Sequence, residues 1–164
     1  MKKLLYFAVA TVLCLVGPAH AAPIKLGASG DWGIYAFDRG GKKTCYVLSA
    51  PKDAKPAGVD HGKNYFLIAP AENADRREPE AIMGYPLKAG SMARVTVGTK
   101  SFPMFTRDNT AWLNDTNRTP ELMAALRAGA SMVLEAISAR GTHTSYTYSL
   151  DGITAALEQS TRCK

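Results

Sequence analysis

Residues 142–149 read THTSYTYS and form the clearest strand pattern in the chain. Tyr146 and Tyr148 alternate with small hydroxylated residues, so one face is aromatic and the other is polar. This period of two is typical of a half-buried antiparallel strand. A compact turn at Arg140-Gly141 precedes it, and residues 131–139 before that turn predict another strand.

Similar runs of β-branched and aromatic residues recur upstream, separated by turn residues. Residues 31–37 and 43–49 flank Asp38-Arg39-Gly40-Gly41 and predict a β-hairpin. Residues 51–62 and 71–79 predict loops, because the first is rich in proline and glycine and the second is charged without periodicity. The count of about eight short strands, without strand–helix alternation, favours a β-sandwich or barrel. The other predicted strands are residues 63–69, 80–87, 92–97, 101–106 and 111–113.

Two short helices are predicted near the C-terminus. Residues 119–128 have Thr119 as a candidate N-cap, followed by a proline and a glutamate that suit the first turn. Gly129 is typical of a helix end. Residues 151–160 predict a second helix, with Ser149 or Asp151 as its N-cap.

Residues 1–21 have the pattern of a secretory signal peptide. Basic residues precede an apolar run at residues 4–16, and Ala19 and Ala21 match a signal-peptidase site. The run is shorter than the roughly 20 residues of a membrane span. We therefore predict a single exported domain, residues 22–164, with no transmembrane segment, in the periplasm, at the cell surface or secreted. An uncleaved signal anchor is the alternative.

The chain has three cysteines, and cleavage of the signal peptide would remove Cys14. Cys14 lacks the flanking small residues of a lipoprotein signal. Cys45 and Cys163 remain, and two cysteines in an oxidising compartment indicate one disulfide bond. This bond would tie the C-terminal segment to an early strand, whereas two free thiols are the alternative.

The charge of the predicted mature chain is only mildly basic. Loss of Lys2 and Lys3 lowers the net charge from +6 to +4. The densest pairs, Lys42-Lys43 and Arg76-Arg77, are too short to form the basic arm of a nucleic-acid-binding protein. We therefore expect no nucleic-acid partner, and instead an unidentified protein or an envelope or host surface.

No catalytic, cofactor-binding or metal-binding motif is recognisable. His61 and His143 have no second ligand at metal-binding spacing, and no serine lies in a Gly-x-Ser-x-Gly motif. We therefore predict a non-enzymatic protein, with both histidines solvated in loops. An envelope hydrolase using one of them is a weaker alternative. Trp32 and Trp112 are expected to be core anchors.

Several stretches together resemble one known family. Gly30-Asp31-Trp32 is similar to its early strand, and SFPMF at residues 101–105 followed by AWL resembles its central block. The strongest similarity is SARGT at residues 138–142, then YTYSLDG at residues 146–152 and a helix ending at Cys163. These residues resemble the invasion-associated locus B family of exported bacterial proteins, over nearly the whole predicted domain.

The resemblance implies an immunoglobulin-like antiparallel β-sandwich with short added helices, and a family linked to host-cell invasion. It supplies no reaction, cofactor or catalytic residue. Family members often carry a cysteine shortly after Gly-Asp-Trp, where this chain has IYAF at residues 34–37. A pairing through that position cannot form here, which leaves Cys45 with Cys163.

The favoured hypothesis is therefore an envelope interaction module that contributes to host-cell association. Candidate contacts are Arg76 and Arg77 in the predicted loop, and the turn at Arg140 and Gly141, because a sandwich presents loops at its ends. A structural or stress-related periplasmic protein without host contact is the alternative.

Overall fold

The computed structural model describes residues 22–71 and 76–163, so the predicted signal peptide lies outside the described residues. Eleven antiparallel strands form one sheet in the order β1-β2-β3-β5-β6-β9-β8-β7-β10-β11-β4. The prediction of a mainly β, antiparallel fold with two short helices near the C-terminus is confirmed. The strands are Ile24–Ser29, Trp32–Arg39, Lys42–Ser49, Asp53–Lys55, Tyr65–Pro70, Arg77–Ile82, Met92–Val97, Lys100–Arg107, Thr110–Leu113, Ser131–Ile137 and His143–Ser149, numbered β1 to β11.

The long sheet folds over, so that strands far apart in the strand order face each other across the core. The ring of Phe66 on β5 lies 6.1 Å from that of Tyr148 on β11, and the Trp32 indole on β2 donates a hydrogen bond to the Ser149 carbonyl on β11. All three side chains are fully buried. One hydrogen-bonded sheet therefore supplies both layers of the sandwich.

The hairpin of β2 and β3 confirms the predicted turn. The two strands pair as far as Arg39 and Lys42, which leaves Gly40-Gly41 as a two-residue loop. Both glycines have positive φ, +62° and +80°, as a twist-compatible hairpin turn requires. The Asp38 carboxylate accepts a 2.8 Å hydrogen bond from the Gly41 amide and closes the loop.

The first helix, α1, spans Thr119–Ala128, as predicted. The predicted cap is wrong, because Thr119 is already helical and a single 3₁₀ turn, Thr116–Arg118, precedes it. The side chain of Asp115 caps that turn by accepting a hydrogen bond from the Asn117 amide. Among the described residues, no helix is long and apolar enough to cross a bilayer.

The second helix, α2, spans Ile153–Thr161, and its start forms a contact with the Gly30-Asp31-Trp32 motif. The Asp31 amide donates to the Asp151 carbonyl at 3.1 Å, and the Trp32 indole donates to the Ser149 carbonyl at 3.1 Å. Gly152, at φ +82°, is the N-cap, so the predicted side-chain caps are wrong. Any Cβ there would collide with the Ser29 carbonyl, so the backbone approach requires glycine. Two stretches that carry the family resemblance thus meet in space.

Two strands lie where no strand was predicted, and a third begins earlier than predicted. The two are the edge strand β1 and the strand β4, which lies within the predicted loop at residues 51–62. Arg77–Ile82 forms β6, so the prediction of a loop at residues 71–79 is wrong for its last three residues. Pro79 pairs with β5 on one side only, because β9 on the other side pairs only with residues 80–82. A proline, which has no amide hydrogen to donate, is tolerated at such a position.

Candidate functional site

A cleft of about 460 Å³ opens between three connecting segments at one end of the sheet. The segments are the loop between β4 and β5, the connection after β6, and the turn between β10 and β11. Its volume falls in the range of small-ligand sites, about 300–1,000 Å³. The lining residues are Val59, Asp60, His61, Gly62, Gly84, Tyr85, Pro86, Ser138, Ala139, Arg140, Thr142 and Thr144.

A buried asparagine joins two walls of the cleft. The Asn64 side-chain amide donates to the His61 carbonyl at 2.9 Å, and its carbonyl oxygen accepts from the Gly84 amide at 2.9 Å. Gly62, at φ +59°, lies so close to Gly84 that a Cβ would meet the Gly84 carbonyl. These contacts hold the β4–β5 loop against the connection after β6. No local pattern around Asn64 indicates this role.

The predicted turn at Arg140-Gly141 forms the third wall. The Gly141 amide donates to the Ser138 carbonyl at 2.8 Å, and the Thr142 amide donates to the Ser138 hydroxyl at 3.1 Å. Gly141 adopts φ +84°. Arg140 is exposed, and within the described residues it forms no ion pair. The turn therefore presents a free guanidinium at the rim of the cleft.

His61 is half-buried and fully hydrogen-bonded, so the prediction of a solvated loop histidine is wrong. Its Nδ1 lies 2.7 Å from the Tyr146 hydroxyl, and its Nε2 lies 3.0 Å from the Pro56 carbonyl oxygen. The His61 and Tyr146 rings meet edge to face at 5.3 Å. Both ring nitrogens are therefore occupied by partners within the protein.

The hydrogen bonds continue from Tyr146 into the sheet. Its hydroxyl donates to the Tyr85 hydroxyl at 3.1 Å, which lies 2.6 Å from the Thr144 hydroxyl. Thr144 then donates to the Ala136 carbonyl at 3.2 Å. Burial raises the pKa of Tyr146, and the hydrogen bond with Tyr85 raises it further, so this phenol keeps its proton at neutral pH.

Two neighbouring tyrosines give a matched test of this network. Tyr146→Phe should lower the free energy of unfolding by about 1–2 kcal/mol, because two hydroxyl contacts are lost. Tyr148→Phe should be neutral or slightly stabilising, since the Tyr148 hydroxyl is buried without a hydrogen-bond partner among the described residues. Urea denaturation of both variants measures the difference. Equal losses of stability would show that the Tyr146 hydroxyl contributes nothing specific.

The other predicted contact residues lie at the opposite end of β6. Arg77 begins this strand, whereas the cleft connection follows its last residue, Ile82, so the two places are about 17 Å apart along the strand. Arg76 and Arg77 line a second cavity of about 510 Å³. The structure therefore separates the predicted arginine pair from Arg140 and Gly141.

The side chain of Arg77 is partly buried, unlike the exposed Arg76. One Arg77 guanidinium nitrogen is buried without a hydrogen-bond partner in the described part of the chain. Burial lowers the pKa of Arg77, and repulsion from Arg127 lowers it further. Its position therefore disfavours the charged form, whereas Arg76 remains available for contact at the surface.

Trp112, which also lines this second cavity, is not a core anchor. It is partly exposed on the outer face of the sheet and stacks on Phe105 at 5.4 Å. Trp32, in contrast, is fully buried as predicted. Burial raises the pKa of Glu80, which is paired with Trp112 across β6 and β9, whereas a hydrogen bond from Trp112 lowers it.

In the part of the chain that the structure describes, His143 and the acidic residues form no metal centre. Within residues 22–71 and 76–163, no group of three or more histidine, cysteine, aspartate or glutamate side chains could hold a metal ion. His143 is exposed at the start of β11 and lies outside the lining of the cleft. The structure therefore does not bring the two histidines together in one site.

The two cysteines left after the predicted cleavage are joined. Cys45 on β3 and Cys163 beyond α2 form a disulfide bond, with Cα atoms 6.1 Å apart. That separation lies within the usual range for disulfides. The bond holds α2 against the first strands, where the helix contacts β1, β2 and β3.

Comparison with known proteins agrees with this architecture. The crystal structure of invasion associated protein B from Bartonella henselae matches with a TM-score of 0.62 over 87% of this chain and 96% of that chain, at 16% sequence identity. Comparison with curated protein sequences gives no match. The family model "Invasion associated locus B (IalB) protein" matches residues 32–161, which include most of the described sheet and both helices. The chain therefore belongs to the invasion associated locus B family.

Proposed function

We propose that the chain is an exported, non-enzymatic interaction module of a bacterial envelope, and that it contributes to host-cell association. Membership of the invasion associated locus B family supports the link to invasion. The Cys45–Cys163 disulfide supports export, because such bonds persist in oxidising compartments. The contact face in this proposal is the cleft with Arg140 and Gly141, and the surface around Arg76 and Arg77 is a second candidate.

The hydrogen bonding of His61 is the observation that favours a binding function over a hydrolytic one. A histidine that acts as general base needs a free ring nitrogen within reach of a nucleophile or a water. Here Nδ1 meets Tyr146 and Nε2 meets a backbone carbonyl. Tyr146 is a buried phenol whose raised pKa disfavours the phenolate that a nucleophile would need. The polar groups beside the cleft are hydrogen-bonded to one another rather than free to react, which favours the binding of a partner over hydrolysis.

Protease treatment of intact bacteria tests the compartment. The mature protein is followed by antibody, with a known periplasmic protein as the control. Digestion of this protein while the control survives is the expected result for a host-contacting module. Protection of both proteins would favour a structural or stress-related periplasmic role and would contradict the proposed host contact.

Site-specific crosslinking tests the contact face. A photo-reactive residue is placed at Arg140, at Arg76, or at Lys25 on the edge strand β1 as an exposed control. Illumination of intact cells during host contact should give a discrete crosslinked species from position 140 and not from position 25. The same species from both positions, or none from either arginine position, would contradict the proposed contact face.

A further inference from the structure

The second cavity, of about 510 Å³, opens where β6 extends beyond its neighbour β9. β9 pairs only with residues 80–82, whereas β6 begins at Arg77. After β9 the chain passes through the 3₁₀ turn into α1, and Thr116 and Thr119 from these two elements also line the cavity. Several elements therefore enclose a space whose volume is that of a small-ligand site.

Two arginines bring positive charge to this cavity. Arg76 is exposed, and Arg77 has one guanidinium nitrogen buried without a hydrogen-bond partner in the described part of the chain. Neither guanidinium forms an ion pair with a described residue, and Arg127 on α1 lies close enough to repel Arg77. Glu78 adds one negative charge, so the two arginines and this glutamate give the lining a net charge of +1. A ligand with a single carboxylate matches this charge, because a guanidinium pairs with a carboxylate through two parallel hydrogen bonds.

An aromatic pair forms the main apolar part of the lining. Trp112 stacks on Phe105 at 5.4 Å, and both rings are partly exposed on the outer face of the sheet. Met92, which pairs with Phe105 across β7 and β8, is 45% exposed and extends this apolar surface beyond the cavity. Ligand pockets are typically lined by aromatic side chains with a few polar groups among them. A simple inorganic anion would leave the aromatic pair without a contact, so the ligand must also have an apolar face.

Hydroxyl groups and a carboxylate complete the lining of the cavity. The hydroxyls of Thr116 and Thr119 can each donate and accept a hydrogen bond, whereas the Glu78 carboxylate only accepts. A ligand with several negative charges would be repelled by Glu78, whereas a ligand hydroxyl can donate to it. The lining therefore matches a ligand that combines one carboxylate, several hydroxyl groups and an apolar face.

We propose that this cavity binds a saccharide that carries a carboxylate; this inference rests on the proposed function and names the ligand class of its second candidate surface. The carboxylate pairs with Arg76 and Arg77, and the ring hydroxyls bond with Thr116 and Glu78. The C–H groups on one face of the sugar ring pack on the aromatic pair of Trp112 and its neighbour. A run of acidic side chains in a protein partner fits less well, because it brings several negative charges to a lining that carries only one net positive charge.

NMR of the indole N–H groups tests the ligand class, because the chain has two tryptophans in contrasting positions. In the full mature protein, addition of 3′-sialyllactose or of methyl glucuronide should shift the Trp112 signal and leave the signal of the buried Trp32 unchanged. Trp112→Phe identifies the signal. Lactose and methyl glucoside, the matched sugars without a carboxylate, should bind about tenfold more weakly, the loss expected for one charge-assisted hydrogen-bonded pair. No shift with either acidic sugar, or equal affinity for the neutral sugars, would overturn the assignment.

Arginine variants test which groups hold the carboxylate. Arg76→Gln and Arg77→Gln should each weaken the binding of 3′-sialyllactose about tenfold. Arg76 is exposed, so its variant keeps the test valid even where the partly buried Arg77 is needed for folding. Arg107→Gln, at an exposed position on β8 outside the lining, removes the same charge and should bind like the parent. Equal losses in Arg76→Gln and Arg107→Gln would overturn the specific role of the arginine pair.

The outcomes separate this inference from the function on which it rests. A shift of the Trp112 signal with hexaglutamate but with neither acidic sugar would overturn the saccharide in favour of an acidic protein segment. Equal affinities for acetate and for 3′-sialyllactose would also overturn it, because the sugar ring would then contribute nothing. A discrete crosslink from position 76 in cells, together with no sugar binding, would overturn the ligand class and leave the contact surface intact. Sugar binding by a protein that is protected from protease in intact cells would instead contradict the proposed host contact.

Discussion

Replacing Cys45 with serine is expected to lower the free energy of unfolding by about 4 kcal/mol. The Cys45–Cys163 bond spans 118 residues of sequence, and a loop of that length restricts the unfolded chain strongly. In the folded state the same bond holds the end of α2 against β2 and β3. Urea denaturation of the parent and of the variant under oxidising conditions measures the difference.

Two controls separate loss of the bond from loss of a side chain. Cys163→Ser should give the same destabilisation, although Cys163 is near the end of the chain and Cys45 is buried in β3. Addition of a reductant to the parent should bring it to the stability of either variant. An unchanged denaturation midpoint in both variants would mean that the bond contributes no net stability.

Trp32→Ala is expected to lower the free energy of unfolding by about 3–5 kcal/mol, the loss typical of a large buried aromatic side chain. Trp32 is fully buried, packs edge to face on Phe66, and donates to the Ser149 carbonyl across the sandwich. The substitution leaves a large cavity and an unpaired carbonyl. Denaturation followed by circular dichroism measures the loss.

Trp112→Ala is the matched control for this prediction. Trp112 is partly exposed and stacks on Phe105, itself 38% exposed, so its removal leaves no buried cavity and should cost about 1 kcal/mol. Equal losses in the two tryptophan variants would contradict the distinction between the buried and the outer position. Trp32→Phe should retain part of the packing while losing the indole hydrogen bond.

Much of the sheet could be predicted because each strand carries its own pattern. The alternation at residues 142–149 puts Tyr146 and Tyr148 inside, and the glycines at positions 40 and 41 allow the hairpin turn. β4 could not be predicted in the same way. It is three residues long, and it is a strand only because it pairs with Ser145–Thr147 of β11, which lie 90 to 94 residues later in the chain.

The candidate site was predictable only in part. The Arg140-Gly141 turn follows from local sequence, and the structure places it at the rim of the cleft. The role of Tyr85 could not be inferred, because its partner Thr144 lies 59 residues away. The hydrogen bonding of His61 escapes prediction for the same reason, since its contact with Tyr146 spans 85 residues. Hydrogen bonds at such separations leave no periodic pattern in the sequence.

The sequence by itself determined the class of the fold, the two helices near the C-terminus and the pair of cysteines available for a disulfide. Side-chain periodicity and turn residues act over a few neighbours, so they can be recognised without knowledge of the partner strands. The tertiary structure decided the order of the eleven strands, the separation of Arg77 from Arg140, and the hydrogen bonds at both ring nitrogens of His61. These depend on contacts between residues distant in the chain, and only the folded arrangement brings such groups within hydrogen-bond distance.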